Sequence, residues 1–230
     1  MPIDAVLLDL YDTLVWPDWA ALRAGRDALA ARAGAAAAAM HEQWQRTHAE
    51  RMQGLFGGLE GDLSAILGAC GITATAALLR ELATLEEANW RRGVIPYRDS
   101  LPQLALLRQR GVRLAIVSNA SREAGVAVGA LGLDRAVDAV VLSCDVGVLK
   151  PDPALLGVAL DRLGVVPRRA LLVDDVPSNL DAAVRLGLGT VLIARGQDPV
   201  PGPGPHPVIR RLEQVWPFLD GPVHEDPPGT

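Results

Sequence analysis

The sequence predicts an α/β fold, a parallel sheet flanked by helices with an all-helical segment inserted after the first strand. Three observations predict it. The apolar run Ala5-Val6-Leu7-Leu8 stops abruptly at Asp9, the mark of a short buried strand. From Leu101 to Ala194, short apolar runs alternate with helical stretches at the spacing of right-handed β-α-β crossovers. Between these two regions, from Trp16 to about Arg92, the pattern is helical and rich in Ala, and nothing in it reads as a strand.

Each element has a local reason. Pro17-Asp18 starts a helix, with Trp19, Leu22 and Leu29 following near helical spacing. Gly34 and the group Gly54, Gly57, Gly58 and Gly61 divide the segment, and Leu78, Leu82 and Leu85 mark one face of a longer helix running toward Trp90. After Val94-Ile95-Pro96-Tyr97 the rhythm changes. Leu101–Arg110 is helical and stops at Gly111, and Val112–Val117 is a strand ending in Ser118-Asn119. A helix over about 122–131 leads to the strand Ala139–Leu142, and Pro153–Leu163 is a helix closed by Gly164. Ala170–Val173 is a strand ending in Asp174-Asp175, Ser178–Leu186 a helix closed by Gly187, and Thr190–Ala194 a last strand. The Pro-rich run Gln197–Pro207 is irregular, Val208–Phe218 forms a short terminal helix, and 220–230 is a flexible tail.

Composition narrows the function classes. Half of the 230 residues are hydrophobic and 21% are charged, which suits a globular chain with a sizeable core. A net charge of −5 and the lack of a Lys/Arg stripe argue against nucleic acid. Cys70 and Cys144, far apart and without a CxxC spacing, suit a reducing compartment. With no secretory start and no long apolar run, a cytoplasmic protein with no membrane partner is expected, as monomer or homodimer.

The polar residues at strand ends carry the functional argument. Asp9, Ser118-Asn119, Lys150 and Asp174-Asp175 fall at four strand ends or the loops that follow, and in a parallel sheet those ends share one edge. Each has a structural explanation by itself: Ser118 as a helix N-cap, Lys150 as a solvated lysine, Asp174-Asp175 as a turn before a helix. All four together point to a site.

Here the chain resembles the haloacid dehalogenase (HAD) superfamily. Asp9 and Thr13 in Asp9-Leu10-Tyr11-Asp12-Thr13-Leu14 are similar to its first motif, and Ser118-Asn119 to its second. Val148-Leu149-Lys150-Pro151-Asp152-Pro153 resembles the third, and Val173-Asp174-Asp175 with Asn179 the fourth, in the variant where two acids replace Gly-Asp. The resemblance implies a Rossmann-like core over 1–15 and 93–219 and a helical cap over 16–92. It also implies a Mg²⁺-dependent hydrolase of phosphatase type acting on a small phosphorylated metabolite. Asp9 becomes the nucleophile that carries an aspartyl-phosphate, and Mg²⁺ is held by Asp9, the Tyr11 carbonyl and Asp175, with Asp174 beside them. Lys150 keeps Asp9 ionised, and Ser118 and the amides after it donate to phosphoryl oxygens.

The second Asp of the first motif is absent, and Tyr11 stands there. A phenol keeps its proton at neutral pH, so it can donate but is a poor base; Asp12, one step on, faces the other way in an extended segment. Tyr at this position resembles the 2-haloacid dehalogenases of the superfamily, which work without metal. Two neighbouring carboxylates would blunt Asp9 in that chemistry unless a cation compensates. The Arg that dehalogenases carry after a cap Trp is displaced here: Gln45 follows Trp44, and Arg46 is one step out of register. Their Tyr six residues after the Lys is replaced by Leu156. Three readings follow: a phosphatase, a metal-independent dehalogenase-like hydrolase, and a binding or regulatory protein on the same scaffold. Trp44, Arg46 and Asn179 are the candidate substrate contacts, with Trp16, His48, Arg51 and Phe56 as further cap candidates.

Overall fold

The computed structural model describes residues 2–196 and 204–220. The first strand, β1 (Ala5–Leu8), is followed by β2 (Val15–Pro17) and five helices: α1 (Trp19–Ala33), α2 (Ala37–Arg46), α3 (His48–Met52), α4 (Leu59–Ala69) and α5 (Ala76–Gly93). β3 (Val94–Pro96) and α6 (Ser100–Gln109) lead to β4 (Arg113–Ser118), α7 (Arg122–Ala130), α8 (Leu133–Ala136), β5 (Ala139–Leu142) and α9 (Ser143–Val146). Then come α10 (Pro153–Leu163), β6 (Ala170–Asp174), α11 (Pro177–Leu186), β7 (Gly189–Ile193) and β8 (Val208–Ile209).

The main sheet has the order β5-β4-β1-β6-β7-β8, and all its pairings are parallel. This is the Rossmann-like α/β fold that the alternating pattern predicts. β1 is central: Leu8 pairs with Ile116 on one side and Val173 on the other, so Asp9, Ser118 and Asp174 emerge together at the C-terminal edge. Alternate residues of each strand feed opposite faces. Val6, Leu8, Leu114, Ile116, Leu171 and Val173 pack in one core, and Ala5, Leu7, Ala115, Val117 and Leu172 in the other. A third core, with Leu29, Met40, Trp44, Leu63, Ile66 and Leu82, lies within the helices between β2 and β3.

Local chemistry sets the element ends. Asp18 caps α1 by accepting from the Ala21 amide at 3.0 Å, and Asp152 caps α10 by accepting from the Ala154 amide at 2.9 Å. Pro153 fills the first turn of α10, where no amide donor is needed.

The differences from expectation are short elements. β2 and β3 form an antiparallel ribbon, with Trp16 opposite Ile95, at the two ends of the helical insertion. A three-residue strand has no usable periodicity, and its partner is some 80 positions away in sequence. The terminal segment is not one helix: β8 adds an edge strand, and only Leu212–Phe218 is helical, as a 3₁₀ turn. Residues 197–203 and 221–230, which hold much of the Pro-rich run and nearly all of the tail, lie outside the described residues. Among the described residues, no helix is long and apolar enough to cross a membrane.

Candidate active site

The ammonium of Lys150 organises the strand-end edge. Its Nζ donates to Asp9 Oδ1 at 2.6 Å, to Asp174 Oδ2 at 2.7 Å and to the Val117 carbonyl at 2.8 Å. All three charged groups are buried. Burial alone depresses a lysine, but Asp9 and Asp174 hold Lys150 above its ordinary value, so it is a fixed cation. Asn119 clamps the loop that carries it, donating from Nδ2 to the Lys150 carbonyl at 2.8 Å and accepting from the Lys150 amide at Oδ1 at 2.7 Å.

Asp9 follows β1, and its amide donates to the Val173 carbonyl at 2.9 Å. Burial, aided by Asp174, pushes its carboxyl up to about 6 against the pull of Lys150. Asp175 is pushed up to about 7 by burial, Asp9 and Asp174. Two carboxyl groups thus share one ammonium with a third beside them, and the surplus is negative. The Thr13 and Ser118 hydroxyls are buried without a protein partner, so both are free to meet a ligand oxygen. Ser118 is therefore not a helix cap.

Asp174 is not a free metal ligand. Oδ2 takes Lys150, and Oδ1 accepts from the Val176 amide and Asn179 Nδ2, each at 2.9 Å. Asn179 is accordingly a buried prop beneath Asp174, not a substrate contact. The carboxylates left for a cation are those of Asp9 and Asp175, close enough for Asp9 to raise Asp175. Among the described residues no three His, Cys, Asp or Glu side chains gather as a metal cluster. Hard oxygens from one or two carboxylates, completed by carbonyl, water and substrate, are what Mg²⁺ takes, and a divalent cation offsets the surplus charge. The residues present fit Mg²⁺.

Above this edge lies a cavity of about 650 Å³. Tyr11, Asn119 and Ser121 come to it from the sheet side, and Trp44, Trp90 and Arg26 from the insertion. The Tyr11 ring packs against Trp90 with centroids 5.8 Å apart, and burial, with Glu123 and Asp9 nearby, holds its phenol well above the ordinary value. Asp12, with φ +53°, turns the chain and is exposed; it stands outside the cavity wall. Trp44 lines the cavity as expected, but Arg46 lies on the exposed face of α2, paired with Glu42 at 2.7 Å.

Several contributors escaped the sequence reading. Arg26 lies 4.2 Å over the Trp44 ring and pairs with buried Glu86 at 3.0 Å. Arg51 of α3, already a cap candidate from the sequence, meets Glu123 of α7 at 3.5 Å, a partner the sequence did not show, joining insertion to sheet layer. The Ser143 hydroxyl donates to the Met52 carbonyl at 2.6 Å, and a Cβ at Gly54 would collide with the Cys144 carbonyl oxygen. Arg195, just past β7, donates to the Thr13 carbonyl at 2.8 and 3.1 Å and grips Asp99 with two contacts of 2.7 and 2.8 Å. The helical spacing of Trp19, Arg23 and Arg26 was a readable signal; Arg195 gave none, because its partners are distant in sequence.

A carboxylate bonded to a buried lysine at the C-terminal edge of a parallel sheet, with two unpartnered hydroxyls buried at the same edge, is an arrangement that can support attack by the carboxylate. The chain belongs to the haloacid dehalogenase-like hydrolase family, whose model matches residues 3–187. It is 35% identical over 127 residues to (S)-2-haloacid dehalogenase 4A of Burkholderia cepacia, covering 54% of each protein. It is 37% identical over 123 residues to phosphoserine phosphatase of Thermus thermophilus, covering 52% of this chain and 49% of that protein. The matches span about half the length of these curated relatives. A crystal structure of a dehalogenase superposes with a TM-score of 0.61 at 25% identity, covering 96% of this chain and 98% of that one. Phosphatases and dehalogenases thus both stand among its relatives.

Proposed function

We propose that this protein is a Mg²⁺-dependent phosphatase acting on a small phosphate monoester through an aspartyl-phosphate on Asp9. The observation that carries the reading is the charge balance: Asp9 and Asp174 share a single ammonium while Asp175 adds a third carboxyl beside them, with Asp9 pushed up to about 6 and Asp175 to about 7. Asp9 and Asp175, with the Tyr11 carbonyl, would hold the ion. When bound, Mg²⁺ supplies the positive charge that lets a carboxylate approach a phosphate dianion.

The chain's own residues supply the rest. Lys150 keeps Asp9 Oδ1 ionised and fixes its direction. Asp9 bonds to phosphorus as the bond from phosphorus to the alcohol oxygen breaks, and that oxygen takes its proton from water in the cavity. The hydroxyls of Thr13 and Ser118, without protein partners, donate to phosphoryl oxygens as charge builds there. Water then cleaves the acyl phosphate and regenerates Asp9. Tyr11 keeps its proton, so this second half lacks a base at that position and is the slow half.

A second reading, metal-independent cleavage of a carbon–halogen bond, is favoured by Tyr11 itself, because halide leaves without a proton. Phosphate and halide release from a panel of small esters and 2-haloacids, with Mg²⁺ and with chelator, separates the two. The phosphatase reading expects phosphate release that requires Mg²⁺ and vanishes in Asp9→Asn. Halide release that survives chelator overturns it.

A further inference from the structure

The seam between the insertion and the sheet layer buries more carboxylate than it neutralises. Asp62 of α4 is 1% exposed and Glu123 of α7 is fully buried. Among the described residues neither Asp62 oxygen has a hydrogen-bond partner, and Glu123 Oε2 has none either. The guanidinium of Arg51 is the cation at this seam. It donates to Glu123 Oε1 at 3.5 Å, to the Trp44 carbonyl at 2.9 Å and to the Thr47 hydroxyl at 3.4 Å. Arg122, the other cation that acts on Asp62, is held by Asp145 at 2.6 Å. The neighbouring helices bring no relief. On α5, Glu86 is paired with Arg26 at 3.0 Å, and on α2, Arg46 pairs with Glu42 and His41 with Asp27. Cys144 of α9 is pushed up to about 11 by burial and stays a neutral thiol. A buried carboxylate without a donor is costly, so the closed seam favours the acid form of Asp62. Burial, and then Glu123, push that carboxyl up to about 7 against the pull of Arg51. The same seam carries the bond from Ser143 to the Met52 carbonyl and the close approach of Gly54 to Cys144. Trp44, Arg51, Met52 and Glu123 also line the cavity, so a loosened seam admits water there.

We infer that this seam is a proton-controlled latch: with Asp62 protonated the insertion stays shut over the cavity, and release of that proton to water loosens it. The inference goes beyond the proposed reaction and does not depend on it. Its sign is fixed by linkage. An Asp62 opened to water returns to 3.8, while in the closed seam it stands at about 7. Closure is therefore fully favoured below about pH 4, weakens by up to about tenfold per pH unit, and levels off above about pH 7.

Hydrogen exchange read by mass spectrometry, in chelator at about pH 5 and about pH 7.5, tests it. Protection factors, corrected for the intrinsic exchange rate at each pH, are compared for the seam segment 48–56 and for β4, which reports global unfolding. In the wild type, protection of 48–56 should fall by about tenfold or more between the two pH values, beyond any change in β4. Asp62→Asn keeps the shape, Asp9 and Asp175 but removes the titrating group, and should leave the seam equally protected at both pH values. Asp62→Ser should do the same, and serves if the amide variant does not fold. A wild-type seam whose protection does not fall beyond that of β4 overturns the inference. So does a fall of the same size in either variant.

Discussion

Replacing Lys150 by Met keeps most of the side-chain stem and deletes the ammonium. Three acceptors then lose their donor: Asp9 Oδ1, Asp174 Oδ2 and the Val117 carbonyl. Asp9 and Asp174 are left as neighbouring buried carboxylates with nothing between them. Removing one partner of a buried pair costs about 3–5 kcal/mol, because the remaining charge stays uncompensated. That is a large part of the roughly 5–15 kcal/mol that holds a domain together. Urea unfolding in chelator, followed by circular dichroism, measures it, and at a slope of about 2–3 kcal/mol/M the midpoint should fall by roughly 1–2 M at neutral pH. The pH dependence has a definite sign. Asp9 already sits at about 6, above 3.8, and loss of Lys150 raises it further. A carboxyl with a raised folded value takes up a proton on folding, so the variant regains stability as pH falls. The deficit should shrink at about pH 5. A deficit below about 1 kcal/mol at neutral pH, or one that grows on acidification, refutes the claim that a buried charge triad organises this edge.

Other outcomes follow from the same geometry. Asp9 at about 6 and Asp175 at about 7 both stand above 3.8, so their contribution to stability is fullest below about pH 4 and is lost as pH rises through 6 and 7. The melting temperature of the chelated protein should fall over that window, and Mg²⁺ should restore it at about pH 8 but not at about pH 5; indifference to Mg²⁺ at pH 8 counts against the ion. Arg195→Ala frees half-buried Asp99 and the Thr13 carbonyl, and should cost about 2 kcal/mol in urea unfolding, with Arg195→Lys recovering part. Tyr11→Asp should raise phosphate release by about tenfold or more by supplying a base for the second half-reaction; unchanged turnover would place Tyr11 outside the chemistry.

The strands that build the site were legible because each is an apolar run stopped by a polar residue. β5 and α10 match their sequence bounds, and β1, β4 and β6 deliver Asp9, Ser118 and Asp174 to one edge. The parts that were not legible depend on contacts rather than pattern. The β2–β3 ribbon is too short to show a period, and single-turn elements such as α8 and α9 fall below helical spacing. Within the site, sequence placed Asp174 beside the metal, whereas its oxygens are spent on Lys150, Val176 and Asn179. Arg46 was chosen for its nearness to Trp44 in sequence, but on a helix a step of two points away. Arg23 and Arg26 lie on the stripe that begins at Trp19, and only the fold shows which face of α1 meets the cavity.

The reciprocal grip of Asn119 on residue 150 engages the peptide group and leaves the side chain out of the bargain. Position and charge are therefore controlled by different residues. A substitution at 150 changes what the loop presents while Asn119 still grips the backbone of residue 150, so it reports on the contacts of the ammonium. A substitution at 119 does the reverse, displacing an intact ammonium. The two positions form a matched pair of probes, and the site can be rewired at 150, to a histidine or a neutral amide, on a backbone that a neighbouring loop already holds in place.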